Sequence, residues 1–288
     1  MINFELVDRK YLLRCQKGTE VREFSQLRCE FDIKQFGDSK LNELSLSLTN
    51  LDKPSRSFFE TNEKYSIFIE LFAGYKEHSG LIFSGNTDLI NIKKGTGVDG
   101  FHKTENRQDE TDWITTLTAK DGIKITKNQV FTIAKRGRVS VSSVIQSVVD
   151  SLGFPKGSIK TSGFKKEYWN NGISSSGPGW DFLVKLCKAN GFTPDIKSGV
   201  LNIRKISEPF GNEVIVLGSN SGLIGSPEKT EKGIKAKSLL RHDIVTGSLV
   251  KIESEYITGY YLITNVTHEG DSDGERWFAN LEAQFYDK

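Results

Sequence analysis

The sequence predicts a mainly β protein in which two strand-rich regions flank a small α+β insert. Apolar and polar residues alternate over the first third of the 288 residues, change to helical spacing near the middle, and return to alternation in the last third. A period of two puts one strand face on a core and the other in water, whereas a period near 3.6 marks a helix with one apolar stripe. A hydrophobic share of 36% with 27 glycines suits many short strands joined by turns. The chain is long enough for three domains, expected at 1–123, 124–207 and 208–288.

The first region opens its clearest strand at QLRCEFDIKQF, residues 26–36, where Leu27, Cys29, Phe31 and Ile33 share one face and Arg28, Glu30, Asp32 and Lys34 the other. NELSLSLTN repeats the pattern with Leu44, Leu46 and Leu48, and KYSIFIELFAGY with Tyr65, Ile67, Ile69 and Leu71. Such alternation describes an antiparallel sheet in a sandwich or barrel. Asp52-Lys53-Pro54 starts a short helical turn, because Pro suits the first position of a helix. LIFSGNTDLINI and DWITTLTAKDG are two further strands. The polar, aperiodic stretch between them, residues 95–112, is expected as a long loop or extended hairpin tip, a common place for a contact element.

From Ser140 the period becomes helical. Val141, Val144, Ile145, Val148, Val149 and Leu152 form one stripe over three turns, with Ser140 as N-cap and Gly153 as the left-handed terminator. A second helix is expected from Pro178 to Asn190, burying Trp180, Leu183, Val184 and Cys187. FTPDI and VLNIRK then make a hairpin around Lys197-Ser198-Gly199. In the last third NEVIVL, GSLVKIES, GYYLITNVTHEG and ERWFANLEAQFY are strands bounded by turn residues. Gly222 and Gly225 allow turns and Pro227 stops a strand, so GLIGSP is expected to present a fixed turn before the next strand.

Overall charge is balanced, 39 Lys+Arg against 37 Asp+Glu, which excludes a whole-chain field for nucleic acid or membrane. Locally the stretch 120–166 is basic, with ten Lys and Arg including Lys135, Arg136 and Arg138 against Asp121 and Asp150. From Glu253 onward the chain is acidic, with Glu253, Glu255, Asp271 and Asp273 among its carboxylates. These two surfaces are the candidate subunit interface, one copy's basic middle meeting the next copy's acidic end and setting register more than affinity.

Residues of the types that carry chemistry are present without the spacing chemistry needs. His78, His102, His242 and His268 show no metal-ligating pattern, and His268-Glu269-Gly270-Asp271 is read as a strand entering an acidic turn. Replacing any one histidine by Ala is expected to leave function intact with modest stability losses. GTGVDG and SGLIGS lack the strand-turn-helix context of a phosphate loop. Cys15, Cys29 and Cys187 lie in apolar runs and are expected as buried structural thiols, implying a reducing site of folding. The amino terminus has no signal-peptide pattern and no stretch approaches a membrane span, so a soluble protein outside the ordinary export route is expected. No catalytic residue, metal or cofactor is expected. Two other classes stay open: a cell-wall hydrolase, and a nucleic-acid-binding module using the basic segment.

The segment SGLIGSPEKTEKGIKAKSLLRHDIVTGSLVKIES, followed by GYYLITNVTHEGDSDG and WFANLEAQ, resembles the C-terminal part of baseplate hub proteins of contractile-tailed bacteriophages. Gly222 to Pro227 and the turn from His268 to Asp271 carry most of that likeness. GLIFSGNTDLI, TDWITTLTAKDG and the two-helix middle extend it over nearly the whole chain. The resemblance implies a structural, non-catalytic protein of the virion, assembled in the host cytoplasm. It further implies a homotrimer whose first and last domains are tube-like antiparallel β-barrels, six of them making a pseudo-sixfold ring between tail tube and central spike. The implied partners are the tail spike protein, tail tube or tube-initiator proteins and other baseplate proteins, with no membrane and no specific nucleic acid.

Overall fold

A computed structural model describes residues 8–94, 112–160, 162–211 and 213–287. The first region contributes β1 (Arg9–Lys17), β2 (Glu20–Phe24), β3 (Cys29–Phe36), β4 (Glu43–Thr49), helix α1 (Lys53–Phe59), β5 (Ile67–Tyr75), β6 (His78–Lys94) and β7 (Trp113–Lys120). The faces are those of the alternation: Cys29, Phe31, Ile33, Leu44, Leu46 and Leu48 are buried, and so are Leu13, Ile67, Ile69 and Leu71. α1 starts where Asp52 accepts a hydrogen bond from the Ser55 amide at 3.1 Å, with Pro54 in its first turn. The polar stretch expected as a long loop, apart from Asp112, lies outside the described residues, as does His102.

The insert comprises α2 (Ile123–Asn128), β8 (Val130–Lys135), β9 (Val139–Ser140), α3 (Val141–Leu152), β10 (Lys156–Ile159), β11 (Tyr168–Trp169), β12 (Ile173–Pro178), α4 (Gly179–Ala189), β13 (Phe192–Lys197) and β14 (Val200–Lys205). All six apolar residues of the α3 stripe are buried, with Ser140 capping its start and Gly153 ending it. α4 buries Trp180, Leu183 and Cys187 against that stripe, while Val184 is half-buried. α2 is an addition to the two expected helices. At six residues it is too short to display a full apolar period. β10, β14 and β13 form one small sheet, and β11–β9 and β12–β8 are two-stranded; none of these strands joins the large sheet.

The last region supplies β15 (Val214–Gly218), β16 (Leu223–Thr230), β17 (Gly233–Leu239), β18 (Leu249–Glu253), β19 (Thr258–Asp271) and β20 (Trp277–Phe285). One expectation is corrected here. Pro227 lies inside β16, and the strand continues past it with its register broken between Ile224 and Glu228. An edge strand tolerates proline at a bulge because no neighbour on that side needs its missing N–H.

The mainly β fold with its small α+β part is as expected, and among the described residues the strand pairing closes no barrel. The two β regions share a single 13-stranded sheet, ordered β16-β17-β20-β19-β3-β4-β7-β6-β5-β1-β2, with β15 and β18 attached at β19. Among the described residues this path is open at β16 and β2. Three apolar cores lie under it and under the insert, and they interlock: Trp277 of β20 is buried in the first region's core. Its ring meets Phe31 edge-on at 5.5 Å between centroids and its Nε1 donates to the Gly74 carbonyl at 3.2 Å.

Candidate assembly interface

The charged residues expected at a subunit boundary are exposed with one exception, and they are scattered. Lys135 closes β8, Arg136 follows it, and Arg138 lies with its guanidinium 4.0 Å from the centre of the Tyr168 ring. Glu253 ends β18 and pairs with Lys251 at 2.6 Å, with Glu255 exposed in the turn beyond. Asp273 lies past the far end of β19. The 14 residues of that strand, rising about 3.3 Å each, lie between Asp273 and the Glu253–Glu255 turn. Sequence neighbours of one charge are therefore not one surface.

Asp271 is the exception, and it is corrected from surface charge to internal link. It is buried, receives Arg28 Nη2 at 3.1 Å and accepts the Asp273 amide at 3.1 Å. Arg28 also meets Glu30 at 3.0 Å, and Arg276 meets Glu30 at 3.2 Å. This network closes over the seam where β3 pairs antiparallel with β19, Lys34 opposite Thr267, Asp32 opposite Glu269 and Phe31 opposite Gly270. Close approach requires glycine there, since a Cβ at Gly270 would fall 2.1 Å from the Phe31 ring. His268, opposite Ile33, has no solvent exposure, and its Nε2 lies 3.3 Å from the Arg241 carbonyl. Burial lowers its imidazole to about 4, so it is a neutral core residue. Among the described residues no group of three or more His, Cys, Asp or Glu is placed to hold a metal.

The seam joins two units of one design, which the sequence did not reveal. In the first unit β3 pairs with β4, β4 with β7, β7 with β6, and β6 with β5. In the second, β16 pairs with β17, β17 with β20, β20 with β19, and β19 with β18, every pair antiparallel in both. The match extends to an irregularity: β6 skips a residue between Thr87 and Leu89 opposite Ala119 and Thr118, and β19 skips one between Ile263 and Asn265 opposite Ala283 and Glu282. Both long strands also change neighbours at that skip. β19 pairs on one side with β18 through Leu262 and with β3 from Asn265 onward. β6 pairs with β5 through Asn86, and among the described residues no strand follows on that side.

Sequence reasoning therefore missed two strand edges, the half of β6 after its skip and the outer side of β16. One signal was present. In DLINIKK, Ile90 and Ile92 take the half-buried positions and Leu89 falls on the polar side, where it is 65% exposed.

The family model described as baseplate hub gp41 matches residues 4–283. No curated protein matches the sequence. Among solved structures, the 43 kDa tail protein of prophage MuSo2 from Shewanella oneidensis is similar with a TM-score of 0.60 and 10% identity, over 95% of this chain and 98% of that one. The tail protein from Neisseria meningitidis MC58 is similar with a TM-score of 0.60 and 10% identity, over 95% and 96%. The E. coli c3393 protein, a type VI secretion component with structural similarity to T4 bacteriophage tail proteins gp27 and gp5, is similar with a TM-score of 0.58 and 11% identity, over 95% of this chain and 77% of that one. At such identities the likeness is one of fold.

Proposed function

We infer the function from the family: the chain belongs to the baseplate hub gp41 family, whose model spans nearly all of it. From that premise we propose that it is a structural hub subunit of a contractile phage tail. Three copies close into a pseudo-sixfold ring that joins the tail tube to the central spike. The observation that carries this reading is the repeated unit, β3-β4-β7-β6-β5 and β16-β17-β20-β19-β18, set edge to edge within one chain. Three such chains would supply six similar units, enough to face a sixfold tube on one side and a threefold spike on the other. In this reading residues 1–123 and 208–288 are the tube-like domains and 124–207 the insert between them. The partners are the spike, tube or tube-initiator proteins and other baseplate proteins, with assembly in the host cytoplasm.

The expected contact between Lys135, Arg136 and Arg138 and a neighbour's acidic side now has two alternatives, since Glu253 with Glu255 and Asp273 lie at opposite ends of β19. Either would set register and weaken with salt. Electron micrographs of the purified chain, with its spike where available, should show threefold rings with six lobes around an open lumen. A chain that stays monomeric in light scattering at high concentration with the spike present would overturn the reading.

A further inference from the structure

The seam inside one chain is a pattern for a joint between two. It forms where the first strand of one unit, β3, lies along the second half of the long strand of the other, β19. The chain also holds the complementary pair, the first strand of the second unit and the long strand of the first, and among the described residues these two are unjoined. Resting on the ring reading above, we propose that β16 of one copy adds antiparallel to the second half of β6 in the next copy, with Thr230 opposite Asn91 and Glu228 opposite Lys93.

The register follows from pairs already in the structure. Thr87 faces Ala119 as Ile263 faces Ala283, on either side of the shared skip, so Asn91 takes the place of Thr267 and Lys93 that of Glu269. Ser45 faces Thr118 and Asp32, while Lys235 faces Glu282 and Glu228; Glu228 therefore takes the place of Asp32, and Thr230 that of Lys34. In the seam Lys34 is opposite Thr267 and Asp32 opposite Glu269. Transferred to the joint, these become Thr230 with Asn91 and Glu228 with Lys93.

Shape and charge agree with the transfer. At the seam, Gln35 of β3 reaches the segment leading into β18, its Oε1 accepting the Thr246 amide at 3.3 Å. The equivalent segment of the first unit, residues 60–65 leading into β5, borders an open groove of about 640 Å3 along Thr87–Ile92, with Leu89 in its lining. Among the described residues, the seat that β3 fills in one unit has no strand in the other. Opposite charges face each other at Glu228 and Lys93, a favourable cross-strand pair. The bulge at Pro227 lies before the paired residues and leaves Glu228–Thr230 regular. Because the two edges differ, the contact is head to tail, and it gives a closed ring when its rotation closes. It also removes both edges from solvent, as a long exposed edge would otherwise recruit other chains.

Cysteine pairs test the joint, because Cys15, Cys29 and Cys187 are buried and free and give little background. Chains carrying Thr230→Cys alone and Asn91→Cys alone, mixed and oxidised, should shift to disulfide-linked dimers on a non-reducing gel. The double variant should shift to dimers and trimers. A Lys34→Cys, Thr267→Cys chain reports the same geometry at the internal seam, where the link should form without change of mass. Light scattering on each sample separates the outcomes. Trimers that do not cross-link, while the internal pair does, would overturn this joint and leave the ring reading standing. Chains that stay monomeric at high concentration with spike present would overturn both.

Discussion

His268 shows what burial does to a residue that sequence places in an acidic turn. Its ring is fully enclosed and its pKa falls to about 4, against an ordinary value near 6.5, because the charged form loses its hydration. The sign of the linkage follows: the native state holds a neutral ring, so its contribution is complete above pH ~6.5 and is lost as pH falls toward 4. Asp121 and Asp195 act with the opposite sign. Burial raises them to about 8 and about 6, so they cost stability as pH rises above the usual carboxylate range. The denaturant midpoint of the wild type should fall, relative to that of His268→Gln, between pH 7 and 5; parallel pH profiles would refute this account. Among the histidines, His268→Ala is expected to cost more than the modest loss anticipated from sequence, about 2–4 kcal/mol for an emptied core site. The thiols follow the same physics. Burial raises Cys15 and Cys29 and pushes Cys187 up to about 12, which leaves them un-ionised packing groups as their apolar runs predicted.

At the level of elements, strands and helices whose signal is periodic match their expected limits closely. α3 covers 141–152 between its serine cap and its glycine, and the 196–201 hairpin turns at Ser198 and Gly199, both at positive φ. β16 departs because a proline's effect depends on which neighbours the strand has, and pairing partners are not local information. β20 carries the element with the largest leverage. Trp277 belongs by sequence to the last region and by burial to the core of the first, where it is 1% exposed. Trp277→Ala should cost about 3–5 kcal/mol in chemical denaturation. Both β regions should still unfold in one transition, since the seam and this side chain couple them. A loss typical of surface substitutions, or two separated transitions, would sink the idea.

Across the whole molecule the insert is pinned to both β regions by a buried polar junction. Ser39 meets Thr193 at 2.8 Å, Asn42 donates to the Ile196 carbonyl at 3.1 Å, the Gly199 amide donates to Asp121 at 3.2 Å, and Lys197 donates to the Thr246 carbonyl. Asp195 and Arg204 sit beside it, 3% and 4% exposed, with Arg204 Nε 4.0 Å from the carboxylate. Arg204 also donates to the carbonyls of Lys205, Ile206 and Glu208. Lys197 also faces Asp195, so removing Arg204 leaves that carboxylate one nearby cation and empties a buried site; Arg204→Met should cost about 2–4 kcal/mol. Adding Asp195→Asn should recover part of it, a coupling that a double-mutant cycle would measure. Strictly additive losses would mean the two charges do not sense each other.

By itself the sequence determined the mainly β class of fold, the caps of its main helix and the buried faces of β3, β4 and β5. It also carried the resemblance to baseplate hubs. These depend on local spacing, because which side of a strand or helix meets a core is written in the order of its own residues. Only the tertiary structure decided which strand lies beside which. It placed β3 against β19, turned Asp271 inward onto Arg28, separated Glu253 from Asp273 by the length of a strand, and disclosed the repeated unit. The repeat leaves little trace in the sequence because a sheet needs only apolar residues of suitable size at alternate positions. Leu46 and Ala236, or Ile90 and Val266, fill equivalent sites without being alike.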